Sequence, residues 1–413
     1  LLGRSLAIRE RLAARRPADR AALEDLAASL LLRGVMHVAQ GRPAEAGPPL
    51  ERSRRCLEAA LAAKPDDPTI RGQIAKVDRF LGLVALQARR FDEAERILSR
   101  SVEEHEKLLT EKPSDPTRRF LLADALVTLA NLKGDVGRRS EAVVTYRRVE
   151  SIAEGLVADF PEEYAYRLQL LECLSSLALT LPGDAEIEKV SARGVALAEG
   201  LAAENPSVRQ YRSMLARLLV PLARTVRYRE PVRAGELIAR AIQMLERLDA
   251  EVPDQPQYRE EWASACAMAA TMHAIGPADD PLFDPARALE LSRRAVELLP
   301  TNRGLLSARA WARYRAGDWE GCVRDTEAST DDPDDYFLAM AHWQLGDRGR
   351  ARKVFEKTDA ELARAAKEWD PNFYPDLATH LRARAEAAAL MGLAPGPAPF
   401  GPARAADPKE PPR

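Results

Sequence analysis

Histidine and cysteine, the side chains most used as metal ligands, general bases and nucleophiles, are few and scattered in this chain. His37, His273 and His342 lie in separate stretches. A metal needs its ligands within a few ångströms of one another, so these rings read as semi-polar groups on half-buried helix faces. Cys56, Cys173, Cys266 and Cys322 include no close pair. That spacing argues against a disulfide framework or a zinc ribbon and predicts small buried apolar side chains. Phosphate-cradling loops, dinucleotide fingerprints, nucleophile elbows, zinc-protease helices and the catalytic triplets of protein kinases have no match in the sequence. Carboxylates are plentiful, but none is spaced to separate an acid from a base. The expectation is a chain with no catalytic residue, no metal and no cofactor. Recognition chemistry is the alternative, and four of the five tryptophans fall between residues 311 and 369.

The elements that place these side chains follow from a register of prolines. Pro17, Pro65, Pro113, Pro161, Pro206, Pro253 and Pro300 recur at intervals of 48, 48, 48, 45, 47 and 47 residues. A fixed period in this range means one supersecondary unit copied in tandem. Seventeen residues after successive prolines stand Gly34, Gly82, Ala130, Ala178, Ala223 and Ala270. Only a small side chain fits where a second helix backbone crosses closely, because packed interiors have no spare volume. Nineteen residues before a proline the second helix carries Ala46, Ala94, Ala142 and Ala234. Leu122, Leu126, Leu129 and Ala130 fall on one helical stripe, and strand periodicity is absent. Gly41 and Gly137 sit where a first helix stops, and each repeating proline closes a second helix. Each unit is therefore predicted to be a helix, a short turn and an antiparallel helix.

These residues resemble the tetratricopeptide repeat family, whose unit is about 34 residues long. Segment 82–94 (GLVALQARRFDEA) matches at Gly82, Phe91 and Ala94, and segment 346–355 (GDRGRARKVF) at Gly346, Ala351 and Phe355. Segment 288–300 (ALELSRRAVELLP) matches the second helix and its closing proline without insertion. In the long units each helix is about seven residues, or two turns, longer than the family norm. The resemblance implies an all-α, right-handed solenoid of antiparallel helix pairs. It also implies a groove lined by the first helix of each repeat, which would hold a segment of a partner protein. Carried over, the groove positions are Trp311, Tyr314, Arg315, Tyr336, Met340, Trp343 and Gln344, with Arg224 and Arg227 farther along the wall. A narrower likeness covers RAGDWEGC (315–322) and FLAMAHWQLGDRGRAR (337–352). With the long Arg- and Ala-rich units before them, they resemble the carboxyl-terminal region of large serine/threonine protein kinases of planctomycete-type bacteria. That likeness implies a recruitment or regulatory region of a larger signalling protein, with any kinase domain upstream.

Residues 1–17 read as the end of a truncated repeat, so the chain is expected to be a fragment. Residues 18–300 hold six long repeats, the fourth shortened around Pro182 and Gly183 and the sixth carrying an insertion at 276–285. Residues 301–370 hold two further repeats, 371–393 a capping helix, and 394–413 a proline-rich tail expected to be disordered. With 61 basic against 63 acidic residues, the charge gives no basic stripe for nucleic acid and no reason to expect an anionic membrane partner. No signal segment or apolar run of spanning length is present, so a cytoplasmic protein is expected. The rival class is a helical-toroid enzyme with carboxylates around a central cavity. Regular registers argue against it, since such sites are built on long loops and only 276–285 is long.

Overall fold

The computed structural model describes residues 2–16, 19–253, 255–276, 278–329, 335–368 and 377–393. Among them the regular structure is entirely α-helical. Pro17, the start of the expected capping segment at 371–376, and the tail 394–413 lie outside the described residues. The chain forms two compact units, residues 1–180 and 181–413.

The first unit runs α1 (Leu2–Arg15), α2 (Arg20–Ala39), α3 (Pro43–Ala62), α4 (Pro68–Gln87), α5 (Phe91–Glu111), α6 (Pro116–Asp135), α7 (Arg139–Asp159) and α8 (Tyr164–Thr180). Helices α2/α3, α4/α5 and α6/α7 are antiparallel hairpins, and each second helix packs on the first helix that follows. The helix breaks fall at Pro65, Pro113 and Pro161, as the register predicts. The physical stop is a compound signal. Asp67 and Asp115 cap the next helix, accepting hydrogen bonds from Thr69 and Ile70 and from Thr117 and Arg118, while Pro68 and Pro116 occupy the first helical turn.

The small position behaves as its spacing implies. A Cβ added to Gly34 or Gly82 would stand 2.5 Å from Cγ of Leu50 or Leu98 on the partner helix. Where alanine replaces glycine, at Ala130, the methyl is wholly buried. Ser53 and Ser101 donate to the carbonyls of Ala27 and Ala75 across the hairpin at 2.8 and 2.7 Å. The register also builds ion pairs that spacing alone did not reveal. Arg71 and Arg119, each six residues after a proline, reach Glu111 and Asp159, each two residues before the next. Arg212 and Glu251 repeat that pair in the second unit. Turns between paired helices use the left-handed backbone, at Gly41 (φ 66°) and Gly137 (φ 81°). Arg89 fills the equivalent place in the repeat between them, at φ 57°.

The second unit runs α9 (Asp184–Glu204), α10 (Arg209–Val226), α11 (Pro231–Glu251), α12 (Pro256–Ala274), α13 (Pro285–Leu298), α14 (Leu305–Arg315), α15 (Trp319–Ser329), α16 (Tyr336–Gln344), α17 (Arg348–Glu368) and α18 (Leu377–Met391). Helix α9 packs against α10, so the fourth long repeat is divided between the units, with α8 closing one and α9 opening the other. Pairs α10/α11, α12/α13, α14/α15 and α16/α17 follow, and the first helices α10, α12, α14 and α16 neighbour one another in order. From α13 to α16 the helices are 9 to 14 residues long, against 17 to 21 from α2 to α12. No helix among the described residues is long and apolar enough to cross a membrane.

Candidate functional site

The wall formed by α14 and α16 brings the aromatic groove candidates together, but it does not display them. Tyr336 and Met340 are fully buried and Tyr314 is 8% exposed. They share one apolar cluster with Phe337, Phe355 and the alanines of α18. The expectation of an open aromatic patch is corrected at these three positions. On α16 the apolar residues occupy consecutive places, Tyr336 to Ala341, so this stretch is buried on every face and only the last turn, at Trp343 and Gln344, meets solvent. Phe337, which spacing alone did not single out, is the hub. Trp311 stacks on it with ring centroids 5.0 Å apart, and Tyr314 meets it edge-on at 5.5 Å.

Trp311 and Trp343 keep partial exposure at the edge of that cluster. The Trp311 indole N–H donates to Asp335 at 2.7 Å, and the Arg348 guanidinium lies 5.0 Å from the Trp343 ring. Gln344 is exposed at the end of α16, and the Tyr314 hydroxyl beneath the wall has its pKa raised by burial.

The three arginine candidates divide in the same manner. Arg227 is 3% exposed and sits inside the unit. Its guanidinium donates to the carbonyls of Met272 and Ile275 at 2.9 and 2.8 Å, and to both carboxylate oxygens of Asp280 at 3.1 and 2.8 Å. The inner-wall cation expected there is thus a buried clamp, because the insertion after α12 brings Asp280 and freed carbonyls to it. Arg224 is half-buried, 3.6 Å from Asp184. Arg315 donates to the Ala274 carbonyl at 2.6 Å and, through two nitrogens, to Glu386 of α18.

Helix α18 explains why so many groove positions are covered. It packs chiefly on α16 and only weakly on α17. Ala383, Ala387, Ala388 and Met391 enter the aromatic cluster. Arg384 donates to Asp359 of α17, with one contact at 3.0 Å, and the same carboxylate accepts from the Tyr336 hydroxyl at 3.0 Å. These bonds draw the Asp359 carboxyl below its ordinary pKa, Arg384 contributing most. At the other end Thr379 meets the Tyr228 hydroxyl at 3.2 Å, Arg382 lies 3.9 Å from the Tyr228 ring, and His380 faces Trp311 edge-on. The helix therefore lies along the first-helix wall, from the end of α10 to α16.

The chemically reactive groups are otherwise tied into the fold. Cys173, Cys266 and Cys322 are buried, and burial pushes the Cys266 thiol up to about 12, far from a thiolate at neutral pH. Asp78 has its pKa raised by burial and is held by Arg100 at 2.9 Å and Arg54 at 3.0 Å. Glu261, also raised by burial, accepts from Ser213 at 2.7 Å and Gln257 at 2.9 Å. Among the described residues no group of three histidine, cysteine or carboxylate side chains is placed to hold a metal. A groove of about 510 Å³ lies between α11, α12 and α13, with Trp262 and Cys266 in its lining and arginines and glutamates of α13 alternating along it. Arg294 stacks over the Trp262 ring at 4.5 Å, so even this wall is occupied by its own side chain.

No protein-family model matches the chain, and no curated protein matches it. Among solved structures, the apo form of RapI aligns at a TM-score of 0.52 with 10% identity, over 89% of this chain and 96% of that one. A thermophilic TPR protein from Thermus thermophilus aligns at 0.38 with 18% identity, over 58% of this chain and 98% of that one. A tetratricopeptide repeat protein from Parabacteroides merdae aligns at 0.31 with 12% identity, over 89% and 98%. At these identities the likeness to RapI is one of fold.

Proposed function

We propose that this chain is a protein-binding scaffold that holds a segment of another protein against the first helices of its repeats. The observation that carries the reading is α18 itself, a helix seated along that wall by matched charges and an apolar face of alanines, leucines and Met391. Side-by-side helix pairs build such a wall over many repeats, and similar repeat arrays use extended surfaces for recognition. The chain does no chemistry of its own and takes a protein or peptide, with no nucleic acid or membrane as partner, in the cytoplasm. Purified chain should show no ATP hydrolysis or phosphoryl transfer above background. The finer role is that of a recruitment or regulatory region in a larger bacterial signalling protein of the serine/threonine kinase kind. Its support is the likeness of segments 315–322 and 337–352, which here form the turn between α14 and α15 and most of α16 with the start of α17.

A photo-crosslinking amino acid tests the scaffold reading in cells. Placed at Arg224, Trp343 or Gln344, it should yield a discrete protein adduct, whereas at Arg293 on α13 it should not. Equal adducts at all four positions, or none at the first three, would reject the first-helix wall as the recognition surface.

A further inference from the structure

We infer that the wall from α10 to α16 is a helix-binding site occupied in cis by α18. Its trans partner is then an alanine-faced helix with an acid in the place of Glu386 and an arginine in the place of Arg384. The inference deepens the scaffold reading and rests on it.

Position is the first ground. Elsewhere in the unit a helix that follows a pair packs on the preceding second helix, as α12 does on α11 and α14 on α13. The backbone of α18 runs close to α17 at few places, and the two meet chiefly through Arg384 and Asp359. Helix α18 lies on α16 and reaches back past Trp311 and Arg315 to Tyr228. A helix that merely closed the stack would not need to touch the end of α10, which is three first helices away.

Interface chemistry is the second. The apolar side of α18 buries Ala383, Ala387, Ala388 and Met391 in the cluster, and Leu381, Leu390 and Leu393 pack partly buried at its edge. Apolar stabilisation scales with the area removed from water, and the fully buried part of this face is mostly alanine, each of which removes little. Charge and geometry then set the register of α18. Glu386 receives two hydrogen bonds from Arg315, one at 2.6 Å, and Arg384 gives two to Asp359, one at 3.0 Å. Planar two-point pairs of this kind set orientation and register, and across interfaces they confer specificity more than affinity.

The groups that receive α18 are the third. Arg315, Asp359 and Tyr228 belong to the body of the unit and stay in place whichever helix lies on them. Phe337 and Tyr336 share one buried cluster with Ala383, Ala387 and Ala388. A second helix with the same spacing of alanine, arginine and glutamate satisfies every one of these groups, so cis and trans helices compete for one site. Competition of this kind lowers the apparent affinity of the partner by the fraction of chains in which α18 is seated.

The test uses the full chain and a fluorescein-labelled synthetic peptide of residues 377–393, read by anisotropy. Wild-type chain should bind the peptide poorly. Glu386→Arg in the chain sets two like charges against each other in cis but leaves Arg315 intact, and should bind the wild-type peptide at least 10-fold more tightly. The double variant R315E/E386R restores the cis pair with reversed sign and should return to wild-type behaviour. Equal binding by all three chains, or binding by none while circular dichroism shows E386R folded, overturns the inference. Should E386R not fold, the milder double variant T379A/R382A loosens α18 at its Tyr228 end alone. It should bind the peptide about 3-fold more tightly than wild type, and no gain overturns the inference equally. The peptide reports on α18 and not on cellular partners. Peptide failure with position-specific adducts in cells therefore refutes the cis occupant alone, and peptide success without adducts refutes the scaffold reading alone.

Discussion

The first helices of the two units are built on one pattern and meet different surroundings. In the first unit Leu179, one residue after the small position Ala178, is 59% exposed on α8. In the second, Met340 holds the same place after Ala339 on α16 and is fully buried. Repeat register decides which residues share a face, but it does not decide whether that face meets water. In the second unit the answer comes from α18, whose contacts lie outside the repeat, and from the insertion that buries Arg227.

Removing the hub of the covered wall should separate the units most sharply. Phe337→Ala is expected to cost about 3–5 kcal/mol, the usual range for a buried aromatic. Amide exchange should then quicken in α14 to α18 while α4 to α7 stay protected. Uniform loss across both units would mean that they are one cooperative body.

Acid should act in the other direction. His105 on α5 is buried, and desolvation lowers its pKa from 6.5 to about 4. The unfolded chain takes up the proton near pH 6.5 and the folded one only near 4. Stability from the neutral ring is therefore complete above 6.5 and drains as the pH falls through 4. By pH 5 the loss should be about 2 kcal/mol in the first unit, on the order of 1.4 kcal/mol per pH unit. Urea titrations at pH 7 and pH 5 check this, and His105→Leu should flatten the difference.

Backbone strain offers a smaller contrast within the first unit. Arg89 holds the left-handed turn that Gly41 and Gly137 hold in the neighbouring repeats. Arg89→Gly should raise stability by up to about 1 kcal/mol, since only glycine adopts that conformation freely. A fall in the melting temperature would show that the Arg89 contact with the Phe91 ring outweighs the strain.

The weakest expected effect is one the units share. The Glu251 carboxyl is drawn down to about 2 by its hydrogen bonds to Arg212, so the pair holds above pH 4.5 and is lost only as the pH falls through 2. It lies at the surface, where such pairs contribute under about 1 kcal/mol. Glu251→Gln should therefore match Glu111→Gln and Asp159→Asn within that margin in melting experiments at pH 7. A larger loss at Glu251 would assign it a role beyond the register.

Much of the fold was legible because helix pairing is local. A proline, a small residue and an alanine at fixed offsets specify a hairpin, and Gly82 against Leu98 realises that specification. The acids at Glu111 and Asp159 were equally periodic, yet carboxylates are common enough on helices that their register did not stand out. The site was half legible. Trp311, Tyr314, Tyr336, Met340 and Trp343 do gather in one cluster, but nothing in the spacing of α16 separates a displayed aromatic from a packed one. Residues 371–393 read as a cap because they are the last helical stretch of the sequence, and nothing local in them says which wall the helix takes. Its choice of wall depends on Arg315 and Glu386, which are 71 residues apart in sequence and belong to no common period.

The central claim, that α18 sits on the first-helix wall and is held there by the Arg315–Glu386 pair, is tested most directly by amide exchange of residues 377–393. In the wild-type chain these amides should be protected well beyond unfolded rates. In Glu386→Arg they should lose that protection, while α16 and α17 keep theirs. Exchange of 377–393 at unfolded rates in the wild type, or unchanged protection in the variant, would contradict the account.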